Sequence, residues 1–529
     1  MPLKTLWVAT LTGLLSLQPL KAQAQPTPSG TPTFRVTTRL VFLDVTVLDR
    51  KGRPVVKGLA KDDFTITENK RQQRIFSFEA PDSHVDVNPA GENPSGKAPA
   101  TVLVLDLLNS KFEDFAYIRF QVRKYLAAQP AQLSSPAELL MVGNRSLEMV
   151  QGYTRNKADL LNALDHVPAV LPYKVMNGAF WPERFVQSID ALQQIALQNK
   201  GITGRKNIVW VGHGGPSLIT ARLTGSIVDN LNRYVHDTTN MLVDARMSLF
   251  VIYPGLRVEA VGFNLSKISA DDNIGDDDPF SGDINFGVFV NETGGNLFYN
   301  RNDIDNEIKR SQELGSEYYT LTYESDAGNA DGKFRRVRVT LRDPSLRALT
   351  KAGYFAPDEG TPAHPRNKNM IDIAEAAQST IPFLALPLTI EGLVRHPDTG
   401  RVEFTVVLKS GNMVWQPTDN GASTTELMLA AASRTERGDV LASKVESLTV
   451  SVDTQDATRL ADVITRMPMR LRVPPKTQRV RVVVQSAENG RIGAVELDRK
   501  TLDAAPQSPT PEPQLISRPL ENHPVSSGR

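Results

Sequence analysis

The chain has 529 residues, 22% of them charged and 40% hydrophobic, with a formal net charge of +1. This is the make-up of a folded protein of about three domains, and with no block of Lys or Arg to release counterions from phosphates it argues against nucleic acid as a partner. There is no cysteine, which excludes disulfides, thiolate catalysis, cysteine-based zinc sites and a lipidated N-terminal cysteine.

Residues 1–24 combine a short basic start at Lys4, an apolar stretch from Leu6 to Leu20, and the small-x-small signal Ala22-Gln23-Ala24. They predict a Sec-type signal peptide cut after Ala24. A retained membrane anchor is the alternative, but the run is short for a span and Pro19 sits near its end. No later run reaches about 18 apolar residues, so the expected mature protein is secreted or periplasmic. Export without disulfides suggests a bacterial envelope.

Residues 25–33 read as a Pro/Ser/Thr linker. Residues 34–80 read as a small N-terminal β domain, with "RLVFLDVTVLD" and two further strands around the "ENK" turn. Residues 81–99, rich in Pro, Gly and Asn, form a second linker. Residues 100–356 alternate buried strands ("TVLVLD", "NIVWVG", "SLFVIY") with amphipathic helices. Phe115, Ile118, Val122 and Leu126 mark one helix by their spacing; Phe185, Ile189 and Leu192 mark another. The alternation predicts a doubly wound α/β domain with a largely parallel sheet and helices on both faces, completed by "YYTLTYES" and closed by a β extension from "FRRVRVTLR" to "LTKAGYFA". The basic run Lys333 to Arg342 alternates with apolar residues and reads as a strand with one solvated face. Residues 357–372 read as a third linker, 373–503 as a β-sandwich, and 504–529 as a disordered Pro-rich tail.

Standard catalytic signatures are missing from the sequence. The seven histidines include no HExxH and no pair at i, i+4, Gly215-Pro216-Ser217 lacks the second glycine of a nucleophile elbow, and there is no Walker A motif. The loop holding Asp271, Asp272, Asp276, Asp277, Asp278 and Asp283 offers oxygens to Ca²⁺, but not at EF-hand spacing. It reads as a solvated loop. "ETGG" (Glu292 to Gly295) reads as a structural turn from a helix end into a strand.

The order of "VFLDVTVLDRKGRPVVKGLAKDDFTITEN", "VLVLDLLNS", "YTRNKADLLNALD", "GRKNIVWVG", "DARMSLFVIYPGL", "ETGGNLFYNRNDIDNEI", "SEYYTLTYES" and "GKFRRVRVTLRDPSLRALTKAGYFAP" resembles the bacterial VWFA-related family, typical of acidobacterial genomes and named for its von Willebrand factor type A domain. The resemblance covers roughly 34–356. It implies a Rossmann-like type A domain in an exported protein, and protein binding rather than catalysis.

Type A domains often bind through a metal-ion-dependent adhesion site: Asp-x-Ser-x-Ser after the first strand, a threonine in a later loop, and an aspartate after the fourth strand. Mg²⁺ or Mn²⁺ would be held by such oxygens, with one position left for a partner carboxylate. On this chain the resemblance puts Asp106, Leu108 and Ser110 at the first motif, with Asn109 as a substitute oxygen donor. The threonine loop falls in "YKVMNGAFWPERF", which has neither Ser nor Thr, and the late aspartate falls on His213. Losing one carboxylate next to a dication forfeits several kcal/mol, since a unit pair at about 4 Å is worth roughly 4 kcal/mol at an effective dielectric of 20. Zinc at Asp106 and His213 would have two candidate ligands for a tetrahedral shell. The expectation is a degenerate site, Asp106, Asn109 and Ser110, without metal. Its loops, carrying His213, Gly214, Tyr173 and Trp181, are expected to bind a protein ligand. A metal-dependent adhesion module and an exported hydrolase with an unseen catalytic site are the alternatives.

Overall fold

The computed structural model describes residues 39–88, 91, 93–94, 96–168, 170–219, 223–254, 278–280, 283–301, 303–325, 331–357, 365–409, 411 and 413–508. The expected signal peptide, the first linker, Asp271 to Asp277 of the acidic loop and all but the start of the expected tail lie outside these residues.

The chain opens with strands β1 (Arg39–Leu48), β2 (Phe64–Glu68), β3 (Arg71–Gln73) and β4 (Ile75–Glu79). The α/β region follows. Strand β5 (Ala100–Asp106) leads to helix α1 (Phe112–Ala128), β6 (Gln132–Val142), β7 (Leu147–Asn156), α2 (Lys157–Asp165) and α3 (Trp181–Gln198). Then come β8 (Lys206–Val211), the short β9 (Leu218–Ile219), α4 (Gly225–Asp244), β10 (Met247–Pro254) and the short β11 (Asp283–Ile284). Helix α5 (Phe286–Glu292), β12 (Leu297–Arg301) and α6 (Ile304–Ser316) finish the region.

Its sheet has the order β12-β10-β8-β5-β6-β7, with every pairing parallel except β6 with β7. Strands β5, β8 and β10 are buried along their whole length, as a parallel sheet covered on both faces requires. One face packs Val102, Val104, Ile208, Trp210 and Leu249 against Phe185, Ile189, Leu192 and Val235 of α3 and α4. The other packs Leu103, Leu105, Val209 and Val211 against Ile118, Val122, Leu126, Leu160 and Ile308 of α1, α2 and α6. The helical spacing read in the sequence for α1 and α3 is thus the spacing that buries them. Chain order reverses between β5 and β8, so their carboxyl ends open the crevice where doubly wound sheets take ligands.

Strands β13 (Tyr319–Ser325), β14 (Phe334–Leu341), β15 (Arg347–Leu349) and β16 (Gly353–Phe355) come next. They correct two expected boundaries. The N-terminal strands do not close on themselves, and "YYTLTYES" does not join the parallel sheet. Instead the two sets interleave, in sheets of order β15-β1-β13-β4 and β16-β14-β2-β3. Val41, Leu43, Ile66, Tyr319, Leu321 and Val337 share one core, and buried Glu68 accepts from Tyr323 Oη at 2.6 Å, Ser325 Oγ at 2.7 Å and Tyr354 Oη at 3.0 Å. Four short strands bury too little apolar surface alone; the rest arrives from some 250 residues downstream. The α/β region is therefore an insertion into a β module. In β14, Val337 and Val339 are buried, as its alternation predicts, and Phe334 is buried out of phase with them, at the stretch that pairs with β16.

The expected third linker is also corrected, because α7 (Pro365–Gln378) begins within it. Its Pro/Asn-rich start suggests a linker, yet proline is tolerated in a helix's first turn. Helix α7 buries Ile373, Ala376 and Ala377 against Leu197 of α3 and against Met428, Ala430 and Val483 beyond it. The remaining strands are β17 (Leu388–His396), β18 (Arg401–Lys409), β19 (Gln416–Pro417), β20 (Ser423–Arg434), β21 (Val440–Val452), β22 (Ile464–Arg472), β23 (Arg479–Ser486) and β24 (Ile492–Asp498). They form two antiparallel sheets around a common core that includes Phe404, Val406, Leu427, Leu429, Met469 and Val482. Among the described residues no helix is long and apolar enough to cross a membrane.

Candidate functional site

Asp106 ends β5 at the crevice, and its carboxylate is fully buried. Its Oδ1 accepts from Asn109 N at 2.9 Å and Asn109 Nδ2 at 3.2 Å. Its Oδ2 accepts from Trp210 Nε1 at 3.0 Å, Gly214 N at 2.8 Å and, more weakly, Asn109 Nδ2 at 3.3 Å. Burial pushes this carboxyl above the ordinary aspartate range, while the Trp210 and Asn109 donors and the nearby His213 pull it back. Both oxygens are thus occupied by N–H donors from β8, the loop after it and the loop after β5.

Asn109 continues the network. Its Nδ2 also donates to Ser188 Oγ at 3.0 Å, and its Oδ1 accepts from Arg184 Nε at 3.0 Å. Ser188 Oγ donates in turn to Arg184 O at 2.8 Å. Arg184 is half-buried on the first turns of α3. Burial lowers the affinity of its guanidinium for its proton, and Asp106 offsets part of that. The loop "YKVMNGAFWPERF" lacks the expected threonine, and this arginine stands in it unannounced by any motif. A basic residue where the resemblance leads one to expect a cation's ligand is the signal that could have found it.

These contacts test whether a dication fits. Leu108, at the first serine position, is fully buried in the apolar cluster with Phe185 and Phe286 and offers no oxygen. Ser110 Oγ is buried with no hydrogen-bond partner among the described residues, the one oxygen of the set left over. A hard cation wants about six oxygens. Here the carboxylate lone pairs face N–H groups, Asn109 Oδ1 faces Arg184, and a fixed positive charge stands beside them. The residues present do not fit Mg²⁺, Mn²⁺ or Ca²⁺ at this place. Among the described residues no three His, Asp or Glu side chains gather as a metal cluster elsewhere; Asp278 of the acidic loop lies 2.7 Å from His236 Nε2.

The four residues expected to form the binding loops fare differently. Gly214 is buried, its N–H is spent on Asp106, and it sits at φ +67° where a Cβ would lie 2.6 Å from Phe286 Cδ1. It is a structural glycine, which corrects its placement on the binding face. His213 is part-exposed, with Nε2 3.4 Å from Asp114 and its ring edge-on to Tyr253. Trp181 is partly buried and stacks on Phe185. Tyr173 is exposed and meets Phe180 edge to face at 5.7 Å.

Around Tyr173 the loop is apolar: Leu171 is 57% and Met176 68% exposed. The loop carrying them is pinned. Buried Lys174 donates from Nζ to Glu183 Oε1 at 2.7 Å and Gln187 Oε1 at 3.0 Å, and Asn144 Nδ2 donates to Leu171 O at 2.9 Å.

No protein-family model matches the chain, and no curated protein matches it. Solved structures similar to it include proximal thread matrix protein 1 from the mussel byssus, at 12% identity and TM-score 0.25, covering 46% of this chain and 49% of that one. The chain thus spans about half the length of that protein. Others are the SpRpn10 VWA domain, at 13% identity and TM-score 0.16, covering 30% of this chain and 90% of that one, and manganese-loaded Plasmodium vivax TRAP protein, at 9% identity and TM-score 0.24, covering 66% and 93%. Scores this low carry no argument, and the reading of the α/β sheet rests on its own strand order and pairing.

Proposed function

We propose that this chain is an exported, non-enzymatic binding or scaffold protein whose α/β region is a type A domain, and that it recognises a protein ligand at the carboxyl end of the β5/β8 crevice without a metal ion. The carrying observation is the pinned loop after α2. Leu171, Tyr173 and Met176 stay exposed, while the buried Lys174 beneath them holds the loop to α3. Exposed apolar side chains on a rigid loop cost little ordering entropy on binding, which is what interface anchors require. The N–H-saturated Asp106 supports the metal-free part of the reading.

The test is cross-linked capture from an envelope fraction. A species held by the wild-type chain should be lost with the double change Tyr173→Ser, Met176→Ser, and kept with Phe76→Ser, a change at an exposed residue of the β module. EDTA should leave capture and the melting temperature unchanged. Capture that ignores the double change overturns the assigned face; capture abolished by EDTA and restored by Mg²⁺ overturns the metal-free reading in favour of a metal-dependent adhesion module.

A further inference from the structure

Arg184 is the unusual group at this crevice. Its Nε is tied to Asn109 Oδ1 at 3.0 Å, and Asn109 is tied to buried Asp106. The guanidinium is therefore held from behind through one of its three nitrogens. None of the described residues accepts a hydrogen bond from its terminal Nη atoms, and neither atom is buried. Glu183, next to it in the chain, does not claim them: it is paired with Lys174 at 2.7 Å. A fixed, half-buried arginine with its fork open presents parallel N–H donors in the geometry that a carboxylate accepts bidentately.

We propose that Arg184 receives an aspartate or glutamate side chain of the partner protein, so that a guanidinium takes the place a metal ion would have in binding an acidic ligand group. This rests on the reading of the crevice as a protein-binding face and adds the chemistry of the ligand. Tyr173 and Met176 then supply apolar contacts beside the ion pair. Partial burial makes the pair stronger than one in open solvent, and the anchoring of Nε leaves less side-chain entropy to lose.

The experiment compares two pools of short random peptides, acetylated and amidated, free of other acidic residues, with either Asp or Asn at one central position. Retention on immobilised full-length protein is measured. The wild type should retain the Asp pool about tenfold over the Asn pool, a difference of about 1.4 kcal/mol, with or without EDTA. Arg184→Gln should retain both pools alike, and Arg184→Lys, which keeps the charge and loses the fork, should fall between; circular dichroism melts of both variants report whether the fold survives. An Asp preference that persists in Arg184→Gln, or one abolished by EDTA, overturns the proposal. Equal retention of both pools that Tyr173→Ser removes overturns the carboxylate inference and leaves the binding face standing. Retention of neither pool counts against both.

Discussion

Asp106 carries more of this crevice than any other residue, and it does so by being satisfied. Two loops and one strand close on its carboxylate, and Gly212 and Gly214 make the closure possible: a Cβ at Gly212 would lie 2.3 Å from Asp106 Cβ, and one at Gly214 would also require φ +67°. Gly214→Ala should lower stability by about 2–4 kcal/mol, combining left-handed strain with overpacking against Phe286; urea denaturation of variant and wild type measures it. At this scale the sequence was half legible. Asp106, Ser110 and His213 do come to one crevice, because a strand end and its following loop are local features. Trp210 as a partner of that carboxylate and Arg184 as a partner of Asn109 were not legible, since they arrive from 104 and 75 positions away along the chain and nothing in local periodicity reports which side chains meet.

Elements were read where a face announces itself. The all-apolar strands and the amphipathic helices α1 and α3 are set by periods that a buried face imposes. Helix α7 hid because its first turn looks like a linker and its apolar positions are mostly alanine. What holds it is distant: Arg481, buried, donates from Nε to Ala376 O at 2.9 Å and from Nη2 to Ile381 O at 2.5 Å, and Arg434 Nη2 donates to Gln378 O at 3.0 Å. Two cations thus sit at the end of a helix whose carbonyls lack intrahelical partners. Burial lowers Arg481 to about 10, with Glu496 opposing, so it stays charged at neutral pH. Arg481→Leu should leave Ala376 O and Ile381 O without their donor and cost about 1–3 kcal/mol for each left unsatisfied. Hydrogen exchange should show α7 losing protection before β20 and β23; unchanged protection of α7 would mean the arginines are not what holds it.

Across the whole molecule, two buried acids set a pH dependence. Glu138, on β6, accepts from Gln198 Nε2 at 3.0 Å, and burial pushes it up to about 8. Glu292, at the end of α5, is pushed up to about 8 by burial as well, with Arg336 opposing. Both folded values exceed the ordinary 4.5, so the folded state holds these protons more tightly. Their stabilising contribution is complete below about pH 4.5 and is lost as pH rises towards about 8, with a slope of about 1.4 kcal/mol per pH unit for each group. Glu138→Gln should therefore gain on the wild type as pH is raised from about 5 to about 8, by urea denaturation at each pH; a constant gap would mean Glu138 is ionised when folded. The same scale holds the largest departure from the sequence reading. Alternation tells a strand which face is buried and leaves its partner strand undetermined, so residues 39–79 looked self-contained when their cores are completed by 319–355.

That interleaving has a consequence for what the molecule can exchange. Glu79 and Thr320 are directly opposed across β4 and β13, so the chain leaves the β module and re-enters it through neighbouring residues about 5 Å apart. The α/β region thus joins its frame at one pair of adjacent chain positions, and it also packs on that frame: Arg246 Nε donates to Asp44 Oδ2 at 3.1 Å, Arg205 Nη1 donates to Thr46 Oγ1 at 2.9 Å, and Val243 enters the frame's core. Exchanging the region for a tight hairpin would keep Glu79 opposite Thr320 but strip Asp44 and Thr46 of their arginines and the shared core of Val243.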